Sequence, residues 1–217
     1  MSVLQETMDH GPRTTDNMTK TLGVTGGIGS GKTAACRLFE DLGARVFYAD
    51  VEAKQLMEQD PDARAEIVAA FGPESYDAEG RLNRAYLAAK VFGNEENVAR
   101  INAIVHPRVF AAFQRAQAEA ERDGVALLIH EAALIFEAGG DRHLDAVAVV
   151  DAPEDVRIRR VVARDSVAPE QVRTRMSHQL PPDELRRRAD YLIDNTGSLE
   201  DLREEVERVY RAVLAND

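Results

Sequence analysis

Apolar residues along this chain fall into two alternating patterns. Short apolar runs of strand length stand at Leu22 to Thr25, Ala44 to Tyr48, Val125 to Ile129, Ala146 to Val150 and Tyr191 to Ile193. Between them, apolar positions recur three or four residues apart, the spacing of one helical face. Ala35, Leu38, Phe39 and Leu42 predict a helix from Thr33 to Leu42 that Gly43 closes as a C-cap. Pro61 opens a helix running to Phe71, and the Gly, Pro and Asp residues between Phe71 and Gly80 predict a turn-rich loop. Residues 94–122 are helical in composition, but the His106-Pro107 pair disfavours helical geometry at His106 and predicts a bend or a split. Pro153 begins a further helix into Arg164, and Ser198 to Leu214 carries Leu202, Val206, Val209, Tyr210 and Val213 on one stripe. Strands alternating with helices predict an α/β protein whose mainly parallel sheet is covered on both faces. There is no internal repeat.

Composition narrows the class. At 217 residues, 44% hydrophobic and 30% charged, the chain suits one domain with a small insertion. Residues 1–20 are polar, mixed in charge and interrupted by Gly-Pro, and are expected to be a disordered leader, with Met18 an alternative start. The net charge of -11, from 38 acidic against 27 basic residues, argues against a general nucleic-acid or anionic-membrane binder. Cys36 is the only cysteine, which excludes an intrachain disulfide or a thiolate metal cluster and favours a reducing compartment. No stretch has the length of a membrane span, and the N-terminus lacks the apolar centre of a secretory signal. The expected location is the cytoplasm.

Residues Gly26 to Thr33 read Gly-Gly-Ile-Gly-Ser-Gly-Lys-Thr, the form G-x-x-x-x-G-K-[ST], between a predicted strand and a predicted helix. Glycines let the backbone wrap around phosphate with its amides inward, and a helix N-terminus favours an anion there. Lys32 is placed to reach the β- and γ-phosphates and Thr33 to offer its hydroxyl to Mg²⁺. The chain is therefore expected to bind a nucleoside triphosphate. Asp50 follows the second strand, so in a parallel sheet it reaches the ligand edge near the transferable phosphate, and it could also, or only, cap a helix starting at Val51. Glu131, at the end of the third apolar strand, is a candidate for a water-mediated magnesium contact. A basic segment holds Arg157, Arg159, Arg160, Arg164, Arg173, Arg175, Arg186, Arg187 and Arg188. Arg160 and Arg164 share a helix face, as phosphate clamps on a lid would.

These features leave three classes open. A switch GTPase should carry Asn-Lys-x-Asp, which is absent; Asp77-Ala78-Glu79-Gly80 fits D-x-x-G, but in a predicted turn. A small-molecule or nucleoside monophosphate kinase shares the loop, the strand-end acid and the arginine lid. A nucleotide-driven assembly protein also fits the loop.

The order of several stretches resembles the dephospho-coenzyme A kinase family over Leu22 to Leu214. They are Thr25 to Thr33, Ala49-Asp50, Gly80 to Arg84 followed by Leu87 and Val91-Phe92, His106-Pro107, Leu134 to Glu137, Arg160 with Arg164-Asp165, Gln179, and Ala189 to Asn195. The chain departs from the family pattern at Tyr48, Asn83, Ala133 and Arg157. The resemblance implies a P-loop nucleoside triphosphate hydrolase fold of three layers, forming a single kinase domain over 21–217. It implies a helical substrate region at about 53–123 and a lid at about 165–185. It implies ATP and Mg²⁺ as cofactors, dephospho-coenzyme A as a small-molecule partner, and a monomer or weak homo-oligomer. Carried over residue by residue, it makes Asp50, Lys32 and Arg164 catalytic. Gly27, Ile28, Gly29, Ser30, Gly31, Lys32, Thr33, Ala34, Arg160 and Asn195 would hold the nucleotide, and Asp50, Arg84, His106 and Leu134 the acceptor. Thr33, with Glu131 through water, would serve the metal.

Overall fold

A computed structural model describes residues 18–91 and 93–216. The expected leader lies outside the described residues over 1–17, as does Phe92. The expected leader does not extend to residue 20: Thr19 is buried, and Lys20 already begins the first strand, its amide donating to Ala126 O at 3.0 Å.

Five strands form one parallel sheet: β1 (Lys20–Thr25), β2 (Arg45–Tyr48), β3 (Leu127–Glu131), β4 (Ala146–Asp151) and β5 (Tyr191–Asp194), in the order β2-β3-β1-β4-β5. Alternate side chains leave opposite faces. Leu127 and Ile129 join a core with Cys36, Phe39, Val206 and Val209, contributed by α1 (Lys32–Asp41) and α9 (Leu199–Ala215). Leu128 packs instead on Phe113 and Ala120 of α5 (Glu95–Arg122), while Val147 and Val149 meet Leu185 of α8 (Pro182–Arg188). Helices on both faces make the expected three layers. The lone Cys36 packs in the core as read from the sequence, and burial raises its thiol pKa.

Two smaller clusters lie beside this core. Ala63, Ile67 and Phe71 of α3 (Pro61–Phe71) pack with Leu87 of α4 (Arg84–Val91), Ile104 of α5 and Met57 of α2 (Ala49–Gln59). Ile158 and Val161 of α6 (Glu154–Asp165) pack with Val172 of α7 (Pro169–Met176) and with Ile28. The second cluster joins the arginine-bearing helices to the glycine loop.

Three local expectations need correction. β3 runs two residues later than the apolar stretch, because pairing with β1 carries it on through His130 and Glu131. α5 is not split at Pro107: it continues for 28 residues, its buried Ile104, Val105, Ala112 and Phe113 outweighing the local preference of His106. Pro107 gives no amide to the helix ladder, and the side chain of the next residue donates to the same stretch, Arg108 Nη1 to Ile104 O at 2.7 Å. α2 starts at Ala49 with Tyr48 as its N-cap, so Asp50 lies inside the first turn and is not the cap.

Candidate active site

The glycine loop leaves β1 at Thr25 and ends in α1, whose N-cap Gly31 has φ 99°. A Cβ at Gly31 would be strained by that left-handed backbone and would collide with the Asn195 amide, so glycine is required twice over. Asn195 Nδ2 donates to Ser30 O at 2.7 Å, Arg160 Nη1 donates to the same oxygen at 3.3 Å, and Arg160 Nη2 reaches Asn195 O at 3.0 Å. The Ser30 carbonyl is thereby held on one side of the loop. The backbone amides of Gly29, Gly31, Lys32 and Thr33 form no hydrogen bond with another described residue. A run of free amides at a helix start is the chemistry of an oxyanion cradle.

Ile28 N donates to the side-chain oxygen of Gln179 at 2.7 Å, a contact the sequence reading did not foresee. Lys32 Nζ rests on Gly26 O at 2.9 Å, closing the loop on itself. Burial draws the Lys32 pKa down, while the carboxylates of Glu131 and Asp50 oppose the shift. Burial raises the Glu131 pKa, with Lys32 acting against it and Asp50 adding to it. The sheet register explains the grouping: Glu131 is aligned with Val24 of β1 and Tyr48 of β2, so the loop begins on one side of it and Asp50 follows on the other. Thr33 is exposed at the start of α1. Among the described residues no cluster of three or more His, Cys, Asp or Glu side chains could hold a metal alone. The donors present fit a magnesium ion that takes most of its ligands from phosphate and water.

Arg164 is four residues from Arg160, yet it makes no hydrogen bond to the loop, although its charge acts on Lys32 and helps to lower that pKa. Its side chain is 65% exposed and forks onto its neighbour Asp165 at 2.7 and 3.1 Å, a carboxylate that also takes Arg175. Asp165 thus competes with any phosphate for both arginines.

On the α5 face of the sheet lies a cavity of about 560 Å³, within the range of small-molecule sites. α2 supplies Asp50, Ala53 and Met57; α5 supplies Val105, His106, Pro107 and Phe110; the segment after β3 supplies Leu134 and His143. Asp50, His106 and Leu134 are therefore brought together as expected. Arg84 is not among the lining residues; it opens α4 and pairs with Glu58 at 3.2 Å. Leu134 and Phe110, 45% and 36% exposed, give the wall an apolar surface suited to an uncharged ligand arm.

His130 also lines this cavity and was missed from the sequence, where it reads as an interruption of an apolar strand. Its ring meets Phe113 edge-on at 4.6 Å and lies 5.5 Å from Phe47. Burial pushes its pKa down from 6.5 to about 4. The unfolded chain then takes up a proton more readily than the native one, so this contribution to stability is complete above pH 6.5 and is lost as pH falls toward 4. The loss between pH 7.5 and pH 5 is about 2 kcal/mol. Urea unfolding of His130→Phe should show a correspondingly smaller drop in stability over that range than the parent. An unchanged pH dependence would contradict the burial of a neutral imidazole.

Free loop amides on one side of the strand ends and an acid-tipped cavity on the other suit transfer of a phosphoryl group between two ligands, the work of a P-loop kinase. The dephospho-CoA kinase family profile matches residues 20–201. Dephospho-CoA kinases of Salinibacter ruber and Chlorobaculum tepidum are 58% identical over 193 residues and 44% over 197, each covering 89% of this chain and 97% and 94% of the relative. The crystal structure of TT1252 from Thermus thermophilus superposes with a TM-score of 0.78 at 36% identity, covering 91% of this chain and 97% of that one. Dephospho-CoA kinase from Campylobacter jejuni shares the fold, with a TM-score of 0.59 at 24% identity over 90% of this chain and 98% of that one. The chain belongs to the dephospho-CoA kinase family.

Proposed function

We propose that the protein transfers the γ-phosphoryl group of ATP to the ribose 3′-hydroxyl of dephospho-coenzyme A, giving coenzyme A and ADP, the final step of coenzyme A synthesis. The observation that carries this reading is the grouping of Lys32, Glu131 and Asp50, whose charges act on one another where β1, β3 and β2 end, with the free loop amides beside Lys32 and the large cavity beside Asp50. The free amides of the Gly27 to Ala34 loop and Lys32 hold the triphosphate, Lys32 exchanging Gly26 O for phosphate oxygens, while the Ser30 and Ala34 amides stay on Gly27 O and Gly31 O. The Thr33 hydroxyl, and Glu131 through water, would hold Mg²⁺, which would supply positive charge against the triphosphate. Asp50 orients the acceptor hydroxyl and accepts its proton. Arg160 and Asn195 keep the loop in shape, and Arg164 adds positive charge when it leaves Asp165 as the lid closes. His106 and Leu134 contact the acceptor in the cavity; Arg84 could join only from its rim.

In this reading residues 21–217 act as one kinase domain, residues 53–123 form the acceptor region around the Ile67 and Leu87 cluster, and residues 165–185 form the lid. No helix among the described residues is long and apolar enough to cross a membrane. A cytoplasmic monomer or weak homo-oligomer that does not engage nucleic acid fits the buried single thiol and the net charge of -11.

Acceptor choice tests the assignment. Binding of the pantetheine arm along the apolar wall can be used to orient the distant hydroxyl, so truncated acceptors should lose turnover as well as affinity. In competition at equal concentrations, dephospho-coenzyme A should be phosphorylated far faster than AMP, CMP, UMP or adenosine. Comparable kcat/KM for any monophosphate would replace the assignment with a nucleoside monophosphate kinase.

A further inference from the structure

Arg157, in the first turns of α6, is only 6% exposed, yet its guanidinium forms no hydrogen bond or ion pair with another described residue. Its Nε is sealed from solvent without a partner. A guanidinium N–H sealed without a partner is costly, and the terminal nitrogens are not sealed, so the fork is open to a partner from outside the chain. The two carboxylates whose fields reach it are committed elsewhere: Asp151 to Arg186 at 2.8 Å, and Glu154 to Arg173 at 3.9 Å.

Arg157 lines a cavity of about 270 Å³ between the start of α6, α7 and residues 177–182, separate from the acceptor cavity. That volume holds an oxyanion with several waters. Arg173 adds a second positive charge to the wall and Glu154, with which it pairs, a negative one; Ser177 and Gln179 add polar groups, and Met176, Leu180 and Pro181 the apolar part. Two contacts tie this cavity to the phosphate loop. Nη1 of Arg157 lies so close over Gly27 that a Cβ there would collide with it, and Gln179, another lining residue, is the side chain whose oxygen occupies the Ile28 amide.

We infer that this cavity is a phosphate-binding site in which Arg157 grips the oxyanion beside Gly27 and Ile28, with Gln179 holding the Ile28 amide until a phosphate oxygen takes it. A planar guanidinium fork and a backbone N–H suit a tetrahedral oxyanion with several acceptor oxygens. The phosphate can be the terminal group of a bound nucleotide or free orthophosphate, and the same titration separates the two sources.

ADP binding is measured first; its failure would count against the nucleotide reading of the loop, and the titration would then be run on the nucleotide-free protein. Inorganic phosphate is titrated by calorimetry into the ADP-saturated parent, Arg157→Gln and Arg157→Lys. Loss of a charged hydrogen-bond donor should weaken phosphate binding at least about tenfold in Arg157→Gln, with Arg157→Lys in between. Repeating the titration with a non-hydrolysable ATP analogue in place of ADP names the source. Lost phosphate binding identifies the terminal nucleotide phosphate as the occupant, and retained binding identifies free phosphate. Equal phosphate affinity in the parent and Arg157→Gln overturns the proposal. Should the glutamine variant fail to fold, the parent's Arg157 Nε–H signal, identified by its absence from the spectrum of Arg157→Lys, must shift on adding phosphate. A signal that does not move overturns the proposal as well.

Discussion

Replacing Lys32 with alanine should lower turnover with ATP by on the order of 10²-fold or more while leaving the fold intact. The side chain is half-buried and its one hydrogen bond to another described residue goes to Gly26 O, so structure loses little when it is removed. Burial already works against its charged form, and the carboxylates of Glu131 and Asp50 work in its favour. A cation poised in this way gains most when a triphosphate supplies further negative charge, above all as charge moves onto the transferring group. Steady-state kinetics with saturating Mg²⁺ and thermal unfolding of the same preparation check both halves. Near-parent turnover would remove the loop from the catalytic machinery.

The second large effect is expected at Asp50. Asp50→Asn should bind ATP about as well as the parent and lose roughly 10² to 10⁴ in rate, the span for a positioned general base. The carboxylate is exposed in the first turn of α2, lines the acceptor cavity and forms no hydrogen bond with another described residue. An amide of the same shape therefore keeps the geometry and removes the proton acceptor. The lost interaction with the N-terminal end of α2 costs about 0.3–1 kcal/mol of stability, too little to unfold the enzyme. An asparagine variant with its rate preserved and its ATP affinity reduced would move Asp50 to nucleotide binding.

Much of this site could be read from residue order because its chemistry is local. Eight consecutive residues form the loop, and Asp50 and Glu131 stand at or just past strand ends, where a parallel sheet gathers side chains at one edge. What escaped depends on contacts remote in sequence. The Arg160 contact to Ser30 O spans 130 positions and the Gln179 contact to Ile28 spans 151, and no local pattern announces either. Arg164 looked equivalent to Arg160 by spacing, but the adjacent Asp165 holds it in this conformation. His130 broke an apolar run and so suggested a strand end, whereas pairing with β1 and burial against Phe113 continue the strand through it. Pro107 misled in the same way, its local bias being weaker than the packing of one long amphipathic face. The helices α7 and α8 are short and rich in charge, with one buried residue each, so periodicity had almost nothing to register.

The most direct test is phosphorus NMR of the purified protein with ATP, Mg²⁺ and dephospho-coenzyme A. The proposed chemistry yields equal amounts of ADP and a new monophosphate ester on the ribose 3′-oxygen, identified by its coupling to the 3′ proton. Release of ADP and inorganic phosphate with dephospho-coenzyme A unchanged, or a phosphate ester at another position, would contradict it.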